Sequence, residues 1–249
     1  MGTMQGKTAV ITGGNSGIGL AIAQRFVEDG ARVGIVGRRQ DAVDEAVKSL
    51  GDHAHGFVGD VSEPSTHERV AAWAATQFSK VDIYVANAAA IVVEQSAAAS
   101  LENFDLQFDT NVRATFLGVQ TILPTLADGG AILLVSSIAT AKVLPGHAIY
   151  AASKAASEAL ARAWALEFAP RRIRVNVLSP GPTDTPILGK LGMPADVIPA
   201  MKADAAARTP LGRMGLGSDL AESALFLASD QARFITGVNL AVDGGISLT

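Results

Sequence analysis

Short apolar runs rich in β-branched residues alternate along the chain with longer segments whose apolar positions recur every three or four residues. The short runs predict buried strands, and the periodic segments predict helices that pack on one face. The predicted strands cover residues 8–11, 32–36, 55–58, 81–86, 131–136, 172–178 and 238–242. The predicted helices cover residues 41–50, 64–78, 101–126, 148–168 and 218–228, and an earlier one ends near Asp29. We expect Ser62 to cap helix 64–78 through its hydroxyl.

Strands that alternate with helices in this way indicate right-handed crossovers and a doubly wound Rossmann fold. We therefore predict an α/β protein with a seven-stranded parallel sheet and helices on both faces, formed as a single domain by residues 1–249. In such sheets, ligands bind where the carboxyl ends of the strands meet. Residues 186–216 are predicted to form a variable substrate lid, with a mobile helical part over 193–208.

The chain turns from its first strand into its first helix through Gly13, Gly17 and Gly19. Such a turn exposes backbone N–H groups, and the N-terminus of the following helix adds partial positive charge. A pyrophosphate can therefore bind there without a cationic side chain, and a Cβ at these positions would block its approach. The spacing Gly-x-x-x-Gly-x-Gly on its own is also compatible with a flexible strand-to-helix turn.

The amino-acid composition argues against several classes of function. The chain carries 24 acidic and 20 basic residues, and its net charge of −4 gives no electrostatic reason to expect a nucleic acid or a membrane as partner. It has no cysteine, which excludes disulfides, thiolate nucleophiles and zinc–thiolate sites. The longest apolar stretch, 83–93, is interrupted by Asn87 and is too short to span a bilayer. The polar start of the sequence shows no signal-peptide pattern, so we expect a cytoplasmic location.

The residues after the second strand indicate which dinucleotide the fold would bind. An acidic residue in that place would hold a ribose 2′-hydroxyl, but this chain has Gly37 followed by Arg38 and Arg39. Guanidinium groups match a phosphate through their planar donor fork. The pattern favours NADP(H) over NAD(H), and the alternative is a solvated basic pair at a strand end.

Tyr150 and Lys154 stand four residues apart, on one face of a predicted helix. A free tyrosine has a pKa near 10, and we expect the lysine ammonium and an oxidised nicotinamide to lower it. Such a phenol can deliver a proton to a carbonyl oxygen while hydride reaches the carbon. Ser137, just beyond the fifth strand, can bond the same oxygen. Asn111, in mid-helix, either holds a water near Lys154 or is a buried amide with its bonds satisfied.

Together these features resemble the short-chain dehydrogenase/reductase family over essentially the whole chain. The resemblance rests on segment 12–19, on Asn111, Ser137, Tyr150 and Lys154 in that order, and on Asp60-Val61, Asn87-Ala88-Ala89, Pro180-Gly181 and Thr185. It implies that Tyr150 is the acid/base and that Ser137 orients the carbonyl. It also implies that Lys154 holds the nicotinamide ribose and lowers the pKa of the tyrosine, and that Asn111 holds a relay water. The family usually has glycine where this chain has Ala89.

The resemblance implies an extended cofactor site and a mostly apolar substrate site. The cofactor site comprises Gly13, Asn15, Ser16, Gly17, Ile18, Gly19, Arg38, Arg39, Asp60, Val61, Asn87, Ala88, Ala89, Tyr150, Lys154, Pro180, Gly181, Thr183 and Thr185. The substrate site comprises Ser137, Val143, Leu144, His147, Tyr150, Ile187 and Leu188, with Ile91, Val92, Ile138 and Met193 as further lining candidates. Apolar side chains favour a hydrophobic ketone or secondary alcohol over a sugar. His147 either lines this cleft or caps the helix that follows.

Other functions fit less of the sequence. A hydrolase triad built on Ser137 and His147 would lack the glycines that flank a nucleophile elbow. His53 and His55 have no neighbouring carboxylate cluster, so we expect no metal site. A non-catalytic dinucleotide-binding scaffold would not need the four residues that the family uses in catalysis. The alternatives within the family are a 3-oxoacyl-thioester reductase that uses acyl carrier protein and a sugar dehydrogenase, and the acidic turn 126–130 argues against an acidic carrier protein.

Alanines dominate helix 148–168, which has few charges. One face of such a helix can pack on the sheet, but the other face also needs cover, and a second subunit is the expected partner. Helix 104–123 would join the same contact, and the family resemblance implies a homotetramer. The sequence leaves the substrate, the product enantiomer and the physiological direction open.

Overall fold

The computed structural model describes residues 2–190, 194 and 196–249, and a parallel sheet lies at its centre. The seven strands follow the order β3-β2-β1-β4-β5-β6-β7. They are β1 Thr8–Thr12, β2 Arg32–Gly37, β3 Ala54–Val58, β4 Val81–Ala86, β5 Leu126–Val135, β6 Arg174–Pro180 and β7 Asn239–Val242. The strand order reverses between β1 and β4, so the carboxyl ends of these strands border the crevice in which a doubly wound fold binds its ligand. The predicted fold class is confirmed.

Helices cover both faces of this sheet. The described residues form α1 Gly17–Glu28, α2 Gln40–Leu50, α3 Pro64–Phe78, α4 Leu101–Phe108, α5 Ala114–Ile122, α6 Ala148–Glu167, α7 Ile198–Arg208 and α8 Gly217–Ala228. Helices α1, α2 and α8 pack on one face with Ile11 and Ile35, and α3, α5 and α6 pack on the other with Val10 and Tyr84. Adjacent strand residues therefore enter opposite cores. In the described part of the chain, none of the helices is long and apolar enough to cross a membrane, and the cytoplasmic location stays a prediction.

The predicted helix 101–126 is confirmed only over residues 101–122, and it is not α-helical throughout. A π-helical turn, Asp109–Arg113, separates α4 from α5, and the chain already enters β5 at Leu126. The apolar periodicity on both sides of the turn is helical, so the pattern alone gives no sign of the interruption. Turns of this kind occur inside helices mostly at functional sites.

The predicted strand 172–178 begins too early. A short 3-10 turn, Ala169–Arg171, comes before it and contains Pro170. Arg172 then has a φ of 56°, in the left-handed region, which is incompatible with an extended strand. The strand therefore starts at Arg174 and runs on to Pro180.

The predicted cap of α3 is also wrong. The backbone N–H and the hydroxyl of Ser62 both donate to Asp60 Oδ1, at 2.9 and 2.8 Å. This local turn competes with capping, and Glu63 takes the N-cap position without a side-chain bond. Ser62 instead fixes the conformation of the segment that follows β3.

Candidate active site

The loop between β1 and α1 is held against the end of β4. Asn87 Nδ2 donates to the carbonyl oxygens of Thr12 and Gly13, at 2.9 and 3.2 Å. Thr12 Oγ1 accepts the backbone N–H groups of Asn87 and Ala88, at 3.0 and 3.1 Å. A Cβ on Gly19 would lie only 2.4 Å from the carbonyl oxygen of Gly13, whose φ is 65°. These glycines are therefore required by close packing, and the loop forms a fixed cradle rather than a flexible turn.

The cradle opens onto the N-terminus of α1. Ser16, at the N-cap position, makes no side-chain cap bond, and the first helical turn holds no acidic residue. The first N–H groups of the helix therefore keep their positive partial charge available for an anion. Thr185 lies across this helix end, since a Cβ on Gly17 would come within 3.5 Å of Thr185 Cβ. Ile18 and Asn15 belong to the same turn and helix start, so this set fits a pyrophosphate.

The segment that follows β6 is fixed beside that helix end. Gly181 passes so close to Asp243 that a Cβ would lie 2.7 Å from its Cα. Thr183 is buried and donates its hydroxyl to the carbonyl oxygen of Gly181 at 2.9 Å. Pro180 is the last residue of β6. The predicted cofactor residues of this segment therefore border the glycine cradle at the carboxyl edge of the sheet.

The end of β2 presents two arginines beside the same cradle. Gly37 packs on Asn15, because a Cβ there would lie 2.5 Å from Asn15 Oδ1. Arg38 Nη1 is 3.7 Å from Asp60 Oδ2, and the two side chains are 67% and 38% exposed. An ion pair this exposed is weak, so the guanidinium can turn towards a phosphate. Arg39 is exposed at the N-cap position of α2.

Three further predicted cofactor residues lie at neighbouring strand ends. Val61 is buried, and its carbonyl oxygen is 2.8 Å from His67 Nε2. The Cα of Ala88 would lie 3.1 Å from a Cβ on Gly13, so this contact is tight. Ala89 is exposed, and its methyl group, which replaces the glycine of the family, therefore meets solvent.

Ser137, Tyr150 and Lys154 converge beyond the end of β5. Ser137 Oγ accepts the backbone N–H of Ala139 at 3.1 Å, which leaves its own O–H free to donate. Its bond to the Tyr150 phenol lowers the pKa of that group. Lys154 Nζ lies 5.9 Å from the centroid of the Tyr150 ring and donates to the carbonyl oxygen of Val135 at 2.7 Å. A hydroxyl, a phenol and an ammonium thus occupy one corner of the cleft, where they can bond a carbonyl oxygen and move a proton.

The expectation that Lys154 lowers the pKa of Tyr150 is wrong for the protein's own groups. Burial raises the pKa of Tyr150 to about 12, and the bond from Ser137 opposes this only in part. Burial also lowers the pKa of Lys154 to about 8, against the opposing effect of the Glu158 charge. The lysine donates to a backbone carbonyl and lies over the ring rather than at the phenol oxygen, so desolvation dominates. Tyr150 is therefore a neutral phenol at pH 7.

Asn111 lies in the π-helical turn, and its side chain is engaged on every side. Nδ2 donates to the carbonyl oxygen of Ala90 and to Ser153 Oγ, both at 2.9 Å, and Oδ1 accepts the N–H of Ala90 at 2.8 Å. Its backbone carbonyl oxygen accepts the hydroxyls of Thr115 and Ser157, both at 2.8 Å. Of the two alternatives, the side chain therefore matches the satisfied buried amide. The relay water stays a prediction.

Two more side-chain amides precede Asn111 along the chain at intervals of four residues. Gln107 is 0% exposed, and its Oε1 accepts the backbone N–H of Val92 at 3.2 Å. Asn103 Nδ2 donates to Glu94 Oε2 at 3.0 Å. With Asn111 they form what we call the amide row, which binds alternate residues of the segment after β4. Asn111 and Gln107 thus bond the backbone of a segment that is not part of the sheet, and Asn103 bonds a side chain at its end.

The segment held by the amide row, residues 90–94, also contacts the loop that leads to Tyr150. The N–H of Glu94 donates to the carbonyl oxygen of Gly146 at 3.0 Å. A Cβ on Gly146 would lie 3.0 Å from Val93 Cγ1. The segment therefore packs against the loop that leads to Tyr150, and Ile91 and Val92 of the predicted lining belong to it.

His147 does not cap α6 with its side chain, and its predicted place in the substrate cleft stays a prediction. It occupies the N-cap position of α6 without a side-chain cap bond, and its Nδ1 is 2.9 Å from the carbonyl oxygen of Pro145. Its ring centroid lies 6.4 Å from that of Tyr150. No hydrogen bond joins it to Ser137 in the described part of the chain, so a hydrolytic pair is not formed.

The remaining predicted substrate residues are not all gathered in one pocket. Val143 is 92% exposed and Ile138 is 5% exposed, so the first faces solvent and the second the protein interior. Leu144 and Leu188 are half-buried, and Ile187 is 37% exposed. Val143 and Ile138 therefore lie in different environments, and their place in the substrate site stays a prediction. Met193 lies outside the described residues.

His53 lies in the short 3-10 turn before β3, and His55 lies in β3 itself. His55 Nε2 is 3.3 Å from Arg32 Nη2, and its ring packs edge-on against Phe78 with centroids 5.7 Å apart. Over residues 2–190, 194 and 196–249, no group of three or more metal-ligating side chains comes together.

Comparison with known proteins identifies the family. A family model described as enoyl-(acyl carrier protein) reductase matches residues 13–247. The 2,5-dichloro-2,5-cyclohexadiene-1,4-diol dehydrogenase LinX of Sphingobium indicum is 35% identical over 251 residues, which cover 98% of this chain and 98% of that protein. The chain belongs to the short-chain dehydrogenase/reductase family.

Solved structures agree with this assignment. The 3-ketoacyl-(acyl-carrier-protein) reductase from Brucella melitensis, complexed with NADH, has a TM-score of 0.90 and 34% identity over 98% of this chain and 99% of that one. A blue fluorescent protein from a metagenomic library, in complex with NADPH, has a TM-score of 0.90 and 31% identity over 98% and 99%. This short-chain dehydrogenase/reductase is therefore an oxidoreductase, and structural relatives bind nicotinamide dinucleotides. The glycine cradle and the uncapped N-terminus of α1 fit the pyrophosphate of such a dinucleotide.

Sequence reasoning missed three residues that shape this site. Gln107 lies four residues before Asn111, and Ser153 and Glu158 flank Lys154 along α6. All three are buried. Their signal is a polar side chain at a position where helical periodicity predicts the buried face, and such side chains need a specific partner.

Proposed function

We propose that this chain is an NADP(H)-dependent oxidoreductase that reversibly reduces a hydrophobic ketone to a secondary alcohol by hydride transfer, with Tyr150 as acid/base. The observation that carries the proposal is the convergence of Ser137, Tyr150 and Lys154 beside the glycine cradle. Membership of an oxidoreductase family supports it.

The hydrogen-bond donors around the cleft suggest a separate role for each residue in the reaction. The O–H of Ser137 turns from the Tyr150 phenol to the carbonyl oxygen of the substrate, and Tyr150 gives its proton to that oxygen. The dinucleotide, when bound, supplies the hydride to the carbonyl carbon. Because burial raises the pKa of Tyr150 to about 12, the phenol keeps its proton at pH 7, which suits the direction of reduction. The ammonium of Lys154 holds the nicotinamide ribose and favours the phenolate once the proton has left.

The choice of NADP(H) rests on the end of β2. Arg38 and Arg39 are both exposed there, and no carboxylate follows Gly37 in the place that would hold a ribose 2′-hydroxyl. The two solved relatives carry NADH and NADPH, so the relatives by themselves favour neither coenzyme.

The choice of a hydrophobic substrate rests on the apolar side chains of the predicted substrate site. Leu144, Ile187 and Leu188 all retain exposed surface, which an apolar ligand would cover. The diol dehydrogenase from Sphingobium, whose named substrate is a chlorinated cyclic diol, is consistent with this class. The hydroxyl groups of a sugar would find no hydrogen-bonding partners among these side chains.

A 3-oxoacyl-thioester reductase is the second candidate, favoured by the reductase neighbour from Brucella. The turn at the start of β5 weighs against a carrier-protein partner. Asp128 there is 62% exposed and pairs with Arg171 at 2.8 Å, so the arginine is partly neutralised. An acidic carrier protein would meet an acidic group at this turn.

We propose that residues 186–216 act as a lid over the substrate. Within them, α7 has no buried residue, so little holds it to the body of the protein. Lys202 Nζ lies 2.6 Å from Asp184 Oδ1, next to the segment that borders the cofactor cradle. Closure of this lid would cover the apolar side chains of the cleft.

We also propose that the chain forms a homotetramer through α6 and its neighbours. The outer face of α6 carries Ala152, Ala155, Ala159 and Ala163, all exposed, and Leu166 is 79% exposed. A second copy of the same alanine face would cover these residues with close helix packing. Light scattering coupled to size-exclusion chromatography gives the mass directly, and a monomer at micromolar concentration would refute this part of the proposal.

The function is tested with a panel of substrates under both coenzymes. Oxidation of NADPH is followed at 340 nm with cyclic and aromatic ketones, a 3-oxoacyl thioester on acyl carrier protein, and a ketose. We expect turnover with hydrophobic ketones and a lower KM for NADPH than for NADH. Preference for the carrier-bound thioester would favour the second candidate, and tight NADPH binding with no turnover on the panel would indicate a silent scaffold.

A further inference from the structure

A buried carboxylate lies one helical turn beyond Lys154, and the proposed chemistry does not use it. Glu158 is 8% exposed, in the middle of α6. Its Oε1 accepts the hydroxyl of Ser136, itself 4% exposed, at 2.6 Å. Ser136 stands directly between the end of β5 and Ser137. The carboxylate therefore accepts from the side chain of the residue that precedes Ser137, and it lies one helical turn beyond Lys154.

Burial of a carboxylate is costly unless hydrogen bonds and an opposite charge compensate it. Ser136 supplies a hydrogen bond to Glu158. Lys154 carries the opposite charge four residues earlier on the same face of α6, where Cβ atoms lie roughly 5–6 Å apart, although no direct ion pair joins the two side chains. Lys154 is itself buried, at 4% exposed, and donates to the carbonyl oxygen of Val135 at 2.7 Å. Two buried groups of opposite charge thus lie one helical turn apart on α6.

Charges on the elements packed against α6 are compensated elsewhere or exposed. In the π-helical turn, Arg113 pairs with Asp109 at 2.9 Å. On β6, Arg174 Nη2 donates to the carbonyl oxygens of Ala228 and Ser229, both at 3.0 Å. On α4, the acidic residues Glu102 and Asp105 are exposed. On α6 itself, the phenol of Tyr150 and the carboxylate of Glu158 lie one turn to either side of Lys154.

We propose that Glu158 is a positioning residue that keeps Lys154 in its ammonium form and, through Ser136, fixes the backbone that carries Ser137. This inference rests on the proposed function, because it is the ammonium that holds the nicotinamide ribose and favours the phenolate there. Burial lowers the pKa of Lys154 and the charge of Glu158 opposes this effect, which agrees with the geometry.

Three variants separate the charge of Glu158 from its hydrogen bond. Glu158→Gln keeps the shape and the oxygen that accepts from Ser136, but it removes the charge. Ser136→Ala removes the hydrogen bond and keeps the charge. Glu167→Gln is the matched control, because it removes an equal charge from an exposed position at the end of the same helix.

The readout is the dissociation constant of NADPH between pH 6 and pH 10, measured by nucleotide fluorescence, together with the pH profile of kcat/KM. We expect Glu158→Gln to move the alkaline loss of affinity and activity by about one pH unit to lower pH. Ser136→Ala and Glu167→Gln should leave that midpoint where it is in the wild type. An unmoved midpoint in Glu158→Gln, or an equal movement in Ser136→Ala, would overturn the proposal.

A stability cycle tests the same pairing without catalysis and decides the case if Glu158→Gln fails to fold. Lys154→Met leaves the buried carboxylate without its counter-charge, so we expect a lower Tm than in the double variant Lys154→Met/Glu158→Gln. A double variant no more stable than Lys154→Met would refute the pairing. A wild type that reduces no carbonyl but shows the coupled stability would refute the proposed function and leave the pairing in place.

Discussion

Replacing Arg38 by alanine should separate the two nicotinamide coenzymes. The side chain is 67% exposed and its pairing distance to Asp60 is 3.7 Å, so folding should lose no more than about 1 kcal/mol. A hydrogen bond from a guanidinium to a charged phosphate is worth about 1.5–3 kcal/mol. Loss of that bond corresponds to a Kd for NADPH raised about 10- to 150-fold. NADH has no 2′-phosphate, and its Kd should change by less than about twofold.

The assay titrates both coenzymes into wild type and variant and follows the quenching of tryptophan fluorescence. Arg39→Ala is measured in parallel, because either guanidinium can reach the phosphate. Arg233→Ala is the control, since this exposed arginine precedes β7 and lies at the opposite edge of the sheet from the cradle. Equal weakening of NADPH and NADH by Arg38→Ala, or an unchanged Kd for NADPH in the Arg38→Ala/Arg39→Ala double variant, would refute the phosphate role.

Three other changes test separate parts of the site. Gln107→Met keeps the volume of the side chain but loses the acceptor for the Val92 N–H. The KM for the ketone should therefore rise at least about threefold, while the Kd for NADPH stays constant. An unchanged KM would contradict the role of the amide row. Burial lowers the pKa of Lys154 from 10.5 to about 8, so between these values the unfolded chain binds more protons. The free energy of unfolding should therefore rise by up to about 3 kcal/mol as pH increases through this window, and this gain should disappear as pH falls towards 8. In urea titrations, Lys154→Met should show no such rise. Gly19→Ala forces a Cβ to 2.4 Å from a backbone oxygen and should abolish NADPH binding and lower Tm, whereas Gly189→Ala, with open space around its Cβ, should leave both unchanged.

Much of this architecture could be predicted from the sequence, because local patterns determine it directly. The β-branched runs and the helical periods between them gave strand and helix positions that the structure confirms within a few residues. The glycine spacing placed the cradle, since Gly13 and Gly19 are needed wherever the loop approaches Asn87 so closely. Residue types alone carried this information.

The features that escaped prediction depend on contacts between distant parts of the chain. The π-helical turn puts Asn111 against Ala90, and a local helical pattern contains no trace of that bond. The pKa of Tyr150 depends on burial and on where Lys154 points, and the four-residue spacing gives neither. Val143 illustrates the same limit, because an apolar residue near the site can still face solvent.

The central claim is that the phenol of Tyr150 transfers a proton to the carbonyl oxygen of a ketone. Tyr150→Phe removes only that oxygen, so the most direct test measures ketone reduction and the Kd of NADPH on the same preparation of this variant. We predict that kcat falls by about 100-fold or more while the Kd stays within about twofold of the wild type. Reduction at a rate close to that of the wild type would contradict it.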